Sequence, residues 1–549
     1  MDTVESSSRT FLRGALILGV AAIVSKLLGS VYTVLLQNMI GDGGMGLYQM
    51  AYPVYATLLV ISTAGFPVAV SKYVSEYTAL GDADTARRIY RVSFVLLAVI
   101  GLVCALGLYF GAGFFARLSG DKNAVFAIQA IAPALFIVPA MSSMRGYFQG
   151  WQLMNPTAVS QVAEQLARVA TILVGAYVVI HLGYGASAAA AAAASGAVSG
   201  GVAGIAAMGY FFWRYRDPQH LAAVLRITPS EHLSRERLSS SAILKRLIYY
   251  AIPVSLGALV IPLTSNVDAL TVTNLLKHQG ASQAMATSDF GLLAGRAFKL
   301  MMLPAALASS IGTALMPSVS QAHALRDTRD TSARILLGLR VAVLFSLPAA
   351  AGLFILGRPI DIALFRNAAG YHSIQILGLA TFFSSVQIAL AASLQGLGRV
   401  YAPLYSLVIG TVLKVALNFI LVPRYGIDGA AIATSVSYAV AAMLNFVSLA
   451  KLMQLKMTLT SHFVKPALAT FVMGAVTFAV YNQWQRMAFD LPQRSSAAFV
   501  TLLTVGVGAI VYFFMLVLVG ALGEQELIVV PKVGPLLART FRKLGLLAQ

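Results

Sequence analysis

Asp84-Thr85-Ala86-Arg87 returns as Asp330-Thr331-Ser332-Ala333-Arg334, 246 residues further along the chain. Outward from that pair, Gln149-Gly150 returns as Gln395-Gly396 and Arg168 stands opposite Lys414, both at the same offset. Tyr184-Gly185 meets Tyr425-Gly426 once five residues are dropped. Around each copy lie apolar runs of about 20 residues, the length of helix that crosses a hydrocarbon core of about 30 Å. These runs predict helices near 11–36, 47–72, 92–114, 124–144, 157–180 and 186–213 in the first copy. In the second copy they fall near 247–267, 288–316, 336–357, 370–394, 401–422 and 428–450. Two more, 466–483 and 497–520, lie outside the repeat. Six helices per copy give both copies the same topology, the arrangement of transporters built from two bundles around a midplane site. The expected fold is an all-α polytopic membrane protein with fourteen transmembrane helices: two parallel six-helix bundles plus two C-terminal helices. The expected boundaries are 1–213 for the first bundle, 214–246 for a cytoplasmic linker, 247–455 for the second bundle, and 456–549 for the last two helices and a tail.

Composition agrees with that reading. Of 549 residues, 58% are hydrophobic and 11% charged, with a mean hydropathy of +0.79; soluble domains carry roughly 25% charged residues. The period-2 alternation of a membrane barrel is absent. The single cysteine, Cys104, allows no internal disulfide. Arg9 and Arg13 precede or open an apolar run from Phe11 to Leu36 with no small-residue cleavage site, which reads as a retained first helix. The net charge of +19 sits mainly in alternate loops, so it orients the helices and gives no reason to expect a nucleic-acid partner. Loop 72–91 holds Lys72, Arg87, Arg88 and Arg91; loop 214–246 holds Arg214, Arg216, Arg226, Arg235, Arg237, Lys245 and Arg246; loop 317–340 holds Arg326, Arg329, Arg334 and Arg340. With an even helix count, this bias puts both termini in the cytoplasm of a cell-membrane protein. The stretch Gly185–Gly209 is nearly all Ala, Gly and Ser, which lets helices approach closely.

Ionisable residues within membrane helices are costly and are functional candidates by default. Here they are Lys26, Glu164, Arg168, Asp268, Arg296, Lys299 and Lys414, with bases in excess. Arg296 and Lys299 are three apart, on one helical face, with no acidic neighbour within a turn of either on their own helix. A bound anion resolves that repulsion, and a pyrophosphate carries the right charge. Substrate-binding candidates are therefore Lys26, Lys299, Arg296, Arg168 and Glu164, against the plainer reading of snorkelling side chains and of an intrahelical Glu164–Arg168 pair. Arg145, Gln149 and Asn155 are candidates for a gate or cytoplasmic loop. Asp268 with Asn418 and Thr434 is a candidate cation site, against an ordinary interfacial aspartate. No GxxxxGK[ST] run binds ATP, and the seven histidines are scattered without metal-ligand spacing.

Ser25-Lys26-Leu27-Leu28-Gly29, followed by Gly46-Leu47-Tyr48-Gln49-Met50-Ala51-Tyr52-Pro53, resembles the opening of the stage V sporulation protein B family. Arg145-Gly146-Tyr147-Phe148-Gln149-Gly150, Asn155-Pro156-Thr157 and Ser160-Gln161-Val162-Ala163-Glu164-Gln165 resemble its most distinctive stretch. Gly426-Ile427-Asp428-Gly429-Ala430-Ala431-Ile432-Ala433-Thr434 is similar to a motif of the multidrug/oligosaccharidyl-lipid/polysaccharide exporter superfamily. The resemblance implies a lipid II flippase of the MurJ type serving peptidoglycan synthesis in sporulation or vegetative growth. It implies alternating access, a central cavity lined by bases, and an apolar groove beside the last two helices for the lipid tail. Lys26 and Lys299 match two of that family's cavity bases; Tyr32 stands where another arginine is common.

The expected function is to flip an undecaprenyl-pyrophosphate-linked sugar, with lipid II first and another polysaccharide or teichoic-acid intermediate second. A cation-coupled multidrug exporter favours carboxylates in the pore, and this pore is mainly basic. A non-transporting scaffold for wall-synthesis or division proteins is the remaining alternative. No cofactor is expected beyond a coupling ion, Na+ or H+, or the membrane potential; the expected partners are the lipid-linked sugar and membrane lipids.

Overall fold

The computed structural model describes residues 2–63, 65–215, 239–453, 460–487 and 492–521, the side chains of residues 2–27, 30 and several between 253 and 261 excepted. Most of the linker 214–246, and the tail beyond 521, therefore lie outside the described residues. Every regular element among the described residues is a helix, and twelve are long and apolar enough to cross a membrane. One of the twelve, Val31–Ala79, passes through both of the first two predicted segments. Gly41, at φ 72° and ψ 175°, breaks the helix between them, a conformation glycine adopts without a Cβ clash. The helix Ser240–His278 covers the predicted 247–267 and is not among the twelve.

Helices overrun their predicted ends by up to three turns: 92–114 becomes Ala83–Leu118, and 336–357 becomes Thr328–Phe365. Hydropathy marks only the stretch that lies in hydrocarbon, whereas the backbone stays helical through polar turns capped by Asp82, which accepts from Thr85 N, and Asp327, which accepts from Asp330 N. Those two caps stand two and three residues before the repeated Asp-Thr-Ala-Arg motif.

The chain divides into two compact units, Met1–Gly291 and Leu292–Gln549. In the first, Ser240–His278 packs on Asp2–Thr63: Asn266 Nδ2 donates to Pro53 O at 3.0 Å and to Thr57 Oγ1 at 2.7 Å. The small residues Gly196, Gly200 and Gly204 line one face of Gly196–Arg214 and press on Met154–His181. A Cβ on Gly200 would sit 2.8 Å from Glu164 O.

The repeat is visible in packing within each unit. Ala134–Gly150 ends on Gly150, where a Cβ would lie 2.6 Å from Val74 Cβ and 2.9 Å from Ser71 O. Tyr371–Gly396 ends on Gly396, where a Cβ would lie 2.9 Å from Val319 Cβ and 2.7 Å from Met316 O. The same Gln-Gly end meets the same i, i+3 pair of a neighbouring helix in both copies.

In the second unit the repeat-external helices Lys465–Arg486 and Gln493–Leu518 flank Thr328–Phe365. Arg494 Nε donates to Ala363 O at 3.1 Å, and Arg340 and Lys465 donate to Ala521 O and Gly520 O at 2.6 and 3.1 Å, placing cations where the last helix exposes its carbonyls. Midway, Tyr512 Oη donates to Leu344 O at 2.9 Å. Leu344 is four residues before Pro348, which lies inside that helix and has no N–H to give it. The tyrosine thus fills a hydrogen bond that the proline removes, a bond with no water to replace it in hydrocarbon.

Candidate functional site

In the first unit, Glu164 and Arg168 rise one turn apart on Met154–His181, and Arg145 reaches them from Ala134–Gly150. Arg168 Nη2 lies 2.6 Å from Glu164 Oε1, and Arg145 Nη2 lies 2.9 Å from Oε2. Arg145 also donates to Ser160 Oγ at 2.8 Å, and Ser160 Oγ donates to Gly204 O at 3.1 Å. These side chains are only 13–18% exposed. One carboxylate thus serves two guanidinium groups and leaves the cluster with one net positive charge. Arg168 Nε is buried without a hydrogen-bond acceptor, as is the Tyr55 hydroxyl. Tyr55 ends a run of rings, Tyr48–Tyr52 at 6.2 Å and Tyr52–Tyr55 at 6.1 Å, and the Tyr48 and Tyr32 hydroxyls lie 3.3 Å apart. The helical spacing of Tyr48, Tyr52 and Tyr55 and the place of Tyr32 were the signals for this polar run, and charge-based reading passes over them.

The plain reading of Glu164 and Arg168 as an ion pair fits these distances, and Arg145 adds a third member that sequence spacing does not announce. Arg145 and Gln149 lie within a helix and not in a loop, because Ala134–Gly150 continues a turn and a half past the predicted end at 144. Asn155 is exposed at the start of Met154–His181.

In the second unit, Arg296 sits in a π-helical turn, Leu292–Ala297, just before the helix Phe298–Ala324 that carries Lys299; such turns recur at functional positions. Arg296 is 2% exposed, and its Nη1 lies 2.9 Å from Oδ1 of Asp361, which is fully buried. It also donates to Asn367 Oδ1 at 2.7 Å, and its guanidinium lies 4.8 Å from the Phe365 ring centre. Asp361 Oδ2 accepts from Gly370 N at 2.8 Å. The counter-charge that sequence reasoning sought in a bound anion is thus present in the protein. Asp361 escapes sequence reading because the hydropathy run stops at 357 while the helix runs to Phe365.

Lys299 is half-buried. Lys26 is helical, and its side chain lies outside the described residues. Lys414 and Asn418 are fully buried one turn apart on Tyr401–Tyr425. Thr434 Oγ1 donates to Ala430 O at 2.9 Å within its own helix. Asp268 is buried in the first unit, whereas Asn418 and Thr434 belong to the second.

A family profile described as polysaccharide biosynthesis protein matches residues 11–323. The chain belongs to the polysaccharide biosynthesis protein family. A second profile, MatE, matches residues 253–420 of this family member. The lipid II flippase MurJ of Bacillus subtilis (strain 168) is 30% identical over 525 residues, covering 92% of this chain and 95% of that one. Stage V sporulation protein B of the same organism is 27% identical over 536 residues, covering 97% and 100%. The resemblance read from the motifs therefore holds along nearly the whole chain. A solved structure of the lipid II flippase MurJ in an inward closed conformation superposes with a TM-score of 0.64 at 15% identity, over 91% of this chain and 98% of that one. That likeness shows the fold: a multi-pass, all-helical membrane architecture.

Proposed function

We propose that this polysaccharide biosynthesis family member flips an undecaprenyl-pyrophosphate-linked sugar, lipid II before others, from the inner to the outer leaflet. The observation that carries the reading is end-to-end similarity to the lipid II flippase MurJ of B. subtilis. Supporting it is the excess of bases over acids in membrane helices: Glu164 is shared by two arginines, which leaves that cluster one net positive charge.

In this mechanism Lys26 and Lys299 meet the pyrophosphate, and Arg168, held by Glu164, offers Nε to a further oxygen. Arg296 acts through its fixed pair with Asp361, orienting the turn that precedes Lys299. The moving bodies are the bundles 1–213 and 247–455, joined by 214–246, with fourteen spans and both termini in the cytoplasm. Gln149 and Asn155 lie toward the cytoplasmic gate. The reaction makes and breaks no covalent bond. Net transport draws on an ion gradient, the membrane potential or removal of product; a 100 mV potential contributes about 2.3 kcal/mol per unit charge. Asp268 of the first unit, or Asn418 with Thr434 of the second, is what we assign to a coupling cation.

The deciding experiment is complementation of a strain depleted of its lipid II flippase. Restored growth with restored surface exposure of lipid II supports the assignment. Failure to restore growth, alongside transport of a teichoic-acid intermediate in proteoliposomes, would move the substrate to that class.

A further inference from the structure

A cavity of about 500 Å³ opens at the end of Thr328–Phe365 far from the basic segment 317–340, between that helix and the repeat-external pair. Its polar lining is Arg358, Tyr481, Trp484, Gln485, Gln493 and Ser496. Its apolar wall is Pro359, Ile362 and Val500. The polar groups are arranged around one another: Trp484 Nε1 donates to Ser496 Oγ at 3.0 Å, and Gln485 Nε2 donates to Tyr481 Oη at 2.6 Å, which leaves the phenol its own proton to give. Arg358 has no ion-pair partner among the described residues. Along the same two helices the surface turns wholly apolar: Phe478, Phe499 and Leu502 are 56%, 53% and 75% exposed.

We propose that this cavity is a binding site for the headgroup of an anionic bilayer phospholipid of the phosphatidylglycerol type. A guanidinium with no ion-pair partner among the described residues suits a phosphodiester, with two donors in a fixed fork. Tyr481, Gln485 and Gln493 suit the hydroxyls of a glycerol headgroup. Trp484 and Tyr481 in the lining place the cavity at the level where such side chains meet lipid headgroups. The exposed face of Phe478, Phe499 and Leu502 takes the acyl chains. A soluble anion uses the guanidinium but leaves that apolar face uncovered, so an amphiphile fits the whole surface. The site lies within one compact unit and holds the two helices that the repeat does not require. The inference rests on the membrane-spanning fold and not on flipping, so binding and transport fail independently.

The test uses the full-length protein in nanodiscs holding equal phosphatidylglycerol and phosphatidylcholine, with retained lipid counted by native mass spectrometry. The wild type retains one phosphatidylglycerol in preference to phosphatidylcholine. Arg358→Gln lowers that preference about tenfold, as loss of one charge-assisted hydrogen bond does; Arg358→Lys keeps part of it, and Arg399→Gln, an exposed charge elsewhere, leaves it unchanged. Equal retention of the two lipids by the wild type, or an unchanged preference in Arg358→Gln, overturns the proposal. Displacement of the phosphatidylglycerol by equimolar undecaprenyl pyrophosphate overturns the assignment to a bilayer lipid.

Discussion

Replacing Asp361 by Asn strands Arg296 in the protein interior, and the structure sets the scale of the effect. The pair is 2.9 Å apart with side chains 2% and 0% exposed. At an effective dielectric of about 20, the attraction at that distance is about 6 kcal/mol before desolvation is subtracted. Removing one partner of such a pair costs about 3–5 kcal/mol, because the other charge is left buried alone. Asn367, which accepts from Arg296 Nη1 at 2.7 Å, is a neutral acceptor and offsets only part of this. At ~2–4 °C per kcal/mol for a unit of this size, Asp361→Asn should lower the temperature of half-aggregation in detergent by about 6–20 °C. The double change Arg296→Met with Asp361→Leu removes both charges and should recover most of that loss. Fluorescence-detected size exclusion after heating measures both, and a flipping assay on the surviving double variant separates the two roles of Arg296. A fixed orienting pair allows flipping to survive at reduced rate, while direct phosphate contact abolishes it. An Asp361→Asn protein as heat-stable as the wild type would refute the reasoning, since no stranded charge would then exist.

Glu164→Gln frees two guanidinium groups at once, so it should destabilise by about 3 kcal/mol or more, whereas Glu164→Asp keeps the charge and should cost less; equal melting of the two variants argues against the shared-carboxylate geometry. Lys299→Ala should abolish flipping with little loss of folded protein, and Lys299→Arg should retain it; equal loss in both removes anion binding as its role. Gly396→Val should disrupt packing against Met316 and Val319 by about 1–3 kcal/mol or more, and Gly150→Val should behave alike against Ser71 and Val74; an unaffected melting temperature in either variant denies the repeated contact. Arg329→Cys, in a Cys104→Ala background, should resist a membrane-impermeant thiol reagent added outside intact cells; ready labelling overturns the proposed sidedness.

Hydrophobic run length and the 246-residue repeat made the helical membrane fold readable, because lipid demands long apolar helices and duplicated packing keeps duplicated residues. Asp82 and Asp327, Gly150 and Gly396 are where that logic meets the structure directly. The site was readable only in part. Glu164 and Arg168 are four residues apart, so a helix alone brings them together. Arg145 joins them across 19 residues and Asp361 reaches Arg296 across 65, and no local periodicity encodes those meetings. The tyrosines were hidden for another reason: they carry no charge, so their hydroxyls look like ordinary apolar ring positions until burial leaves the Tyr55 oxygen without an acceptor.

The bond from Tyr512 to the carbonyl that Pro348 leaves open has a consequence in time. The ribosome makes the chain from its N-terminus, so Thr328–Phe365 enters the membrane well before Gln493–Leu518 exists. Until the last helix arrives, Leu344 presents a bare carbonyl inside the bilayer, worth several kcal/mol. That interval makes the kinked helix a natural client for an insertase or a chaperone that shields polar backbone during biogenesis. A nascent chain stalled before Tyr512 should be degraded faster than one stalled just beyond it.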